Sequence, residues 1–226
     1  GDHHDGMDIY YIDANGRYSE KETSRAVLCV NHESSADAHF MHPNGQTSNG
    51  VAGKKFSQFG DWDLGTRPEL EVLKEINHHG VSVVEIVKTP QGWRIKQDSP
   101  LNRRITAQTP VRISGPRAHI EAIRSFMVTR WDTAGAMARG TLNNCGHGKT
   151  PWGAALPAKE VASRKRYGVA SAAPAAGVKK VASQGWHTVS TTDDRFVRWN
   201  LAATGTNAEK DFRNEANTFG FNVEID

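Results

Sequence analysis

The densest chemistry in the sequence lies in the segment from Gly140 to Gly153, which is rich in Gly, Asn and Pro. Between Asn143 and His147 it offers two amides, a thiol and an imidazole within five positions. A thiolate is a soft metal ligand, and neighbouring glycines allow a backbone to approach an ion closely. The composition predicts an irregular loop, which is either a functional loop or a structural turn. Cys145 has no CxxC partner, so the segment is not a zinc signature.

Three further segments carry ligand chemistry, and each has a plainer alternative. Asn31-His32-Glu33 directly follows an apolar run, and the end of a strand exposes side chains at a rim, although a solvated turn also fits. The first six residues combine Asp and His at a density that suits a divalent cation, a tag remnant or a frayed terminus. Glu224 lies in the alternating run 219–225, where a Glu more often occupies the exposed face.

The elements that must position these residues are mostly short strands. Apolar and β-branched runs bounded by turn residues predict strands at 26–30, 80–88, 93–96, 111–113 and 219–225. Long polar stretches separate them, above all 34–66 and the Ala- and Ser-rich segment 163–183. We therefore expect a mainly β chain with long loops.

Helices are predicted to be few and short. One begins near Thr66, which can cap it, has Pro68 in its first turn and ends at Gly80. Two further candidates follow Ser114 and span 207–214. From these three candidates we expect one or two small helices beside the strands.

Composition excludes several classes of protein. The 226 residues are 37% hydrophobic and 23% charged, as in ordinary soluble domains. The net charge of +3 and one short basic cluster, Arg164–Arg166, do not indicate a nucleic-acid partner. No run approaches the ~18 apolar residues of a membrane-spanning helix. GxGxxG, Walker, HExxH and GxSxG motifs are absent from the sequence, and two cysteines cannot form a disulfide scaffold.

Taken in order, these segments resemble the PhoX family of alkaline phosphatases. The matching stretches are 1–7, 30–33, 80–85, 98–106, 141–153, 214–217 and 219–226. The resemblance implies a six-bladed β-propeller with a central site that holds iron and calcium. It implies that Cys145 is an iron ligand and that Glu33 and Glu224 are possible metal ligands. Asn144 and His147, near Cys145 in sequence, are candidates for donating hydrogen bonds to phosphate oxygens.

The chain also departs from the family pattern. Where the family has a segment ending in Glu-Glu-Asn, this chain reads Lys159-Glu160-Val161, so only Glu160 remains there as a candidate metal ligand. A six-bladed ring needs roughly 240–300 residues. We therefore expect 1–226 to be the N-terminal portion of one propeller domain, with no internal boundary, an incomplete metal cluster and sheet edges that favour self-association.

The resemblance implies metal-dependent hydrolysis of phosphate monoesters, with a phosphorylated small molecule as substrate. It also implies a periplasmic or secreted location. The alternative is a non-catalytic, calcium-binding β-propeller that serves as an interaction module, which the departures at Lys159 and Val161 favour. Neither nucleic acid nor a membrane span is expected.

Overall fold

Antiparallel strands form most of the regular structure, as the sequence predicts. The computed structural model describes residues 3–33, 41–54, 65–142, 144–150, 153, 158–159, 202, 205–212, 214–218 and 223–225. The segment 163–183, the basic cluster within it and most of the predicted strand 219–225 lie outside these residues. Within them, the expectation of a mainly β chain with two short α-helices is confirmed.

The main sheet carries the core. Its strands are β1 (Met7–Tyr11), β2 (Arg25–His32), β5 (Gly80–Thr89), β6 (Gly92–Ile95) and β7 (Arg103–Thr106). The order is β1-β2-β5-β6, and β7 pairs with the Gly80–Val83 half of β5. β2 and β5 pair over their full overlap from Arg25↔Val87 to His32↔Gly80, so the end of β2 lies beside the start of β5. Ala26, Val81 and Val83 are buried there, as β-branched and small residues at a sheet centre should be.

Three two-stranded sheets complete the described strands. They are β3 (Gln46–Ser48) with β4 (Val51–Lys54), β8 (Pro110–Arg112) with β9 (Met137–Arg139), and β10 (Asn144–Gly146) with β11 (Ala158–Lys159). All three pairs are antiparallel. The last pair contains the Cys145 segment, which is therefore a short strand followed by a loop.

The two α-helices are α1 (Glu69–His78) and α2 (Glu121–Met127). The predicted cap at Thr66 is wrong, because Pro68 occupies the N-cap position without a side-chain hydrogen bond. The backbone N–H and hydroxyl of Thr66 instead donate to Oδ1 of Asn49, both at 3.0 Å. None of the helices in the described residues is long and apolar enough to span a membrane.

The predicted helix at 207–214 is also wrong. Residues 207–212 form turns, and a 3-10 helix follows at Glu215–Thr218. Phe212 is buried, so docking of this side chain fixes the local backbone. Asn is a weak helix former, and tertiary packing overrides such a small preference.

A buried ionic network joins β3 to α1. The guanidinium of Arg67 contacts both oxygens of Glu75, at 2.7 and 2.9 Å, and one oxygen of Glu71 at 2.5 Å. The amide of Gln46 donates to Glu75 Oε1 at 2.6 Å, and His42 Nε2 lies 3.1 Å from the same atom. Burial alone would raise the pKa of Glu75, but hydrogen bonds and charge from Arg67 outweigh it and lower that pKa to about 2.

Candidate active site

Three segments flagged in the sequence meet at the end of β2. The backbone N–H of Asn31 donates to the Gly6 carbonyl at 2.7 Å, and its side-chain Nδ2 donates to the Gly146 carbonyl at 3.0 Å. The N–H of Glu33 donates to the His3 carbonyl at 3.3 Å. Three segments are therefore adjacent in the structure: the N-terminal segment, the Asn31–Glu33 strand end and the Cys145 segment.

Glycine at position 6 is what allows this close approach. A β-carbon at Gly6 would collide with the side-chain amide of Asn31 and would lie 3.2 Å from the Cβ of His147. A glycine also begins β5, where Gly80 has a φ of +128° and a β-carbon would strike the carbonyl of Ile105. Only glycine fits such a conformation without strain.

Asn144 is an anchor of the Cys145 segment. It is fully buried, and its Nδ2 donates to the Gly80 carbonyl at 3.1 Å and to the Thr141 hydroxyl at 2.6 Å. Because the Gly80 carbonyl can only accept, the amide orientation is fixed. Asn144 Oδ1 is buried and has no hydrogen-bond partner within the described part of the chain. The side-chain atom of Asn144 that remains available is thus an acceptor. Donation to a phosphate oxygen would require Nδ2 to give up one of its two hydrogen bonds.

Cys145 and His147 flank the carbonyl that Asn31 holds. Cys145 lies at the centre of β10, and its side chain is outside the described residues. His147 is exposed, so its imidazole is open to a ligand from solvent. The next carbonyl, of Gly148, accepts a hydrogen bond from the hydroxyl of Tyr10 at 3.3 Å.

The predicted carboxylate ligands occupy different settings. Glu33 is half-buried immediately after β2, and its carbonyl accepts a hydrogen bond from His79 Nδ1 at 2.5 Å. Glu224 is exposed next to buried Val223. Glu160 lies outside the described residues. Glu33 thus lies on the strand end that Asn31 joins to the Cys145 segment, and all three carboxylates remain predicted metal ligands.

Two histidines line the same place. His32 is 9% exposed, its Nε2 lies 2.7 Å from the Ser82 hydroxyl, and its ring meets that of His4 edge-on with centroids 4.7 Å apart. Burial, followed by the nearby charge of Arg104, lowers the pKa of His32 to about 3. His32 is therefore neutral at ordinary pH. Ser82 and Tyr10 were missed by sequence reasoning, since each is an ordinary strand residue whose role depends on a distant partner.

The Asn214–Asn217 motif lies elsewhere. Asn214 Nδ2 donates to the Ser125 carbonyl of α2 at 3.4 Å, and Glu215 is buried. Burial raises the pKa of Glu215 to about 8, against the opposing charges of Arg139 and Arg130. This motif therefore packs the end of the described chain against α2.

A second group of potential metal ligands lies in the buried ionic network. Single ligand atoms of His42, Glu71 and Glu75 lie within 4.8 Å of one another. Arg67 contacts both carboxylates with its guanidinium. The positive charge of Arg67 compensates the two carboxylates and competes with any cation. We therefore interpret the network as a structural ion cluster.

Cys29 contrasts with Cys145. It is a free, half-buried thiol in a cavity of about 170 Å³ on the main sheet, lined also by Tyr10, Leu101 and Ile225. Burial raises its pKa to about 11, so it stays protonated. A protonated thiol in this setting packs as a small apolar residue.

The comparisons with known proteins agree with the motifs. The family model described as alkaline phosphatase PhoX matches residues 1–226. Among solved structures, the chain is similar to Pseudomonas fluorescens PhoX in complex with vanadate, a transition state analogue, with 29% identity and a TM-score of 0.69. That match covers 100% of this chain and 33% of the other, which is a β-propeller. The chain thus spans about a third of the length of the matched structure, and a search of curated proteins gave no match.

Proposed function

We propose, since the chain belongs to the alkaline phosphatase PhoX family, that it supplies part of a metal site for the hydrolysis of phosphate monoesters. The observation that carries the proposal is the meeting of the Cys145 segment with the strand end that bears Glu33. The family is metal-dependent. Iron and calcium as the metals, and a phosphorylated small molecule as the substrate, are the specific parts of the proposal.

The residues present fit such metals by their donor chemistry. Glu33 offers a hard carboxylate, which suits calcium, and Cys145 offers a soft thiolate, which suits iron. Asn144 Oδ1 is a buried acceptor without a hydrogen-bond partner among the described residues, and His32 Nδ1, which could bind a cation when its ring is protonated only at Nε2, is likewise buried and unpartnered there. Buried polar atoms are rarely left in this state, so a cation nearby would satisfy them. Glu160 and Glu224 complete the proposed ligand set.

The reaction itself explains why metals are needed. Unaided hydrolysis of phosphate monoesters is so slow that the acceleration required approaches ~10²¹-fold. A positioned acid or base supplies only about 10²–10⁴. Bound metals would contribute by neutralising phosphate oxygens and activating an oxygen nucleophile. The matched Pseudomonas protein was solved with vanadate as a transition state analogue, which supports phosphoryl transfer for this chain.

The chain's own residues position the substrate. His147 is exposed and is proposed to donate a hydrogen bond to a phosphate oxygen. Asn144 is proposed to contact the same group, at the expense of one of its anchoring bonds. The neutral His32 on the same strand end as Glu33 adds no positive charge to the site.

Three wider features of the protein remain part of the proposal. The family model that matches 1–226 supports a single PhoX-like propeller portion without an internal boundary. The family relationship supports a periplasmic or secreted location. All four residues of β6 are exposed, and this edge strand supports self-association.

The test compares two cysteines of one chain. Cys145→Ala and Cys29→Ala are made in the protein at its full natural length, and iron, calcium and hydrolysis of an aryl phosphate are measured. We expect Cys145→Ala to lose iron and at least 100-fold in kcat/KM, while Cys29→Ala keeps both. Unchanged iron in Cys145→Ala would refute the proposal. Calcium binding without any hydrolysis would instead favour a non-catalytic interaction module.

A further inference from the structure

We propose that Asn31 is a positioning residue for the Cys145 segment, an inference that rests on the proposed function. Asn31 is the last but one residue of β2 and is 3% exposed. It is adjacent to neither Cys145 nor His147 in sequence. Its backbone N–H, its carbonyl and its side-chain amide nevertheless connect the N-terminal segment to the Cys145 segment.

Each polar group of Asn31 named here has a different partner. Its N–H donates to the Gly6 carbonyl at 2.7 Å, and its carbonyl accepts from His4 Nδ1 at 2.8 Å. Its side-chain Nδ2 donates to the Gly146 carbonyl at 3.0 Å. The first two bonds use the main chain and would survive substitution, whereas the third depends on the side chain. The side chain therefore has one separable task, which is to hold Gly146.

Gly146 is the residue between the two predicted site residues of this segment. The segment is held at alternate positions, by the Asn144 side chain, by the Gly146 carbonyl and by the Gly148 carbonyl. The intervening positions are Cys145 and His147. Holding every second residue thus fixes the backbone on both sides of Cys145 and of His147.

The close packing around Gly6 gives a second route to the same contact. A β-carbon at Gly6 would collide with the Asn31 amide. Gly6→Ala therefore displaces the donor without removing it. If Asn31 acts by holding Gly146, both substitutions should have the same consequence for Cys145.

The expected size follows from comparable positioning groups. Removing a residue that orients a metal ligand typically weakens metal affinity or activity by about 10–100-fold. Asn31→Asp is the sharpest variant, since it keeps the shape of the side chain and places a carboxylate against the Gly146 carbonyl. Asn102→Ala is the matched control: its Nδ2 holds the Lys96 carbonyl at 2.7 Å, in a loop after β6.

The experiment is done in the full-length protein carrying Cys29→Ala, so that Cys145 is the one thiol of this chain. Iron affinity is measured by titration, and the rate at which a thiol reagent modifies Cys145 is measured on metal-free protein. Unfolding midpoints confirm that each variant is folded. We expect Asn31→Asp and Gly6→Ala to weaken iron binding at least 10-fold and to change the modification rate by a similar factor, with Asn102→Ala unchanged.

The outcomes separate this inference from the proposed function. Asn31→Asp that is folded and has wild-type iron affinity and thiol reactivity would overturn the positioning role. If Asn31→Asp does not fold, the same two readouts on Gly6→Ala decide. If the wild-type protein binds no iron, the proposed function is refuted. If Asn31→Asp still changes the rate of thiol modification in that case, the positioning of Cys145 by Asn31 is established.

Discussion

Replacing Glu75 with Gln should destabilise the protein, because Glu75 balances a charge that has no access to water. The side chains of Arg67 and Glu75 are 0% and 1% exposed, and the two groups are 2.7 Å apart. Removing one partner of a buried ion pair typically costs about 3–5 kcal/mol. Glu71 still contacts Arg67 in the variant, so the lower end of this range applies.

The lowered pKa of Glu75 reflects the same contacts with Arg67 and adds a pH dependence. A fall from 4.5 to about 2 corresponds to about 3 kcal/mol of preference for the charged form in the folded state. A lowered pKa means that this stabilisation is complete above pH 4.5 and disappears as the pH falls towards 2. For a chain of this size, about 3 kcal/mol corresponds to a fall in Tm of roughly 6–12 °C.

The assay is urea unfolding followed by tryptophan fluorescence, for wild type and Glu75→Gln, from pH 7 down to pH 2.5. The difference in unfolding free energy should be about 3 kcal/mol at pH 7 and should shrink below pH 4.5. Glu69→Gln on the same helix is the control, since Glu69 pairs with Arg130 with 42% of its side chain exposed and should cost under about 1 kcal/mol. A Glu75→Gln effect below 1 kcal/mol at pH 7, or one that does not depend on pH, would refute the reasoning.

Two further substitutions test other parts of the fold. Gly80→Ala should lower the free energy of unfolding by more than about 1 kcal/mol, because the new methyl group meets the Ile105 carbonyl. Gly92→Ala should cost less, since Gly92 also has a positive φ but has open space around it. Equal urea midpoints for the two variants would contradict this. Glu215→Gln should have little effect at pH 4 and should stabilise the protein increasingly from about pH 4.5 to 8, because the carboxyl ionises in the unfolded chain over this range while burial keeps it protonated in the folded one; a loss of stability at pH 9 would contradict this.

Much of the sheet could be predicted because its signals are local. The strand over Gly80–Thr89 has a β-branched, partly alternating sequence between a glycine and a proline turn, and both ends fall where these residues place them. The start of α1 could not, because Thr66 has the chemistry of a cap but is bound by Asn49, a residue 17 positions away. The sequence around Thr66 does not show that a distant side chain binds its hydroxyl in place of the helix N-terminus.

The segments that meet at the candidate site could be recognised in the sequence, but their arrangement could not. The motifs around His4, Glu33 and Cys145 were recognisable by residue type and by family resemblance. That they meet at Asn31 depends on the register of β1 against β2, where Met7 pairs with Val30, and on a hydrogen bond between residues 115 positions apart. Short stretches of sequence indicate which side chains could bind a ligand, but the pairing of the strands determines which of these stretches lie close together.

The bond between Asn31 and Gly146 also has a consequence for the order of folding. It closes a loop of 115 residues, and the entropic cost of such closure is roughly 4 kcal/mol plus a constant, well above the ~1 kcal/mol of one hydrogen bond. The site can therefore form only after the main sheet has brought its ends together. During synthesis at about 5–20 residues per second, Gly146 emerges roughly 6–23 s after Asn31. For that interval the nascent chain carries the N-terminal half of the site without the Cys145 segment that completes it.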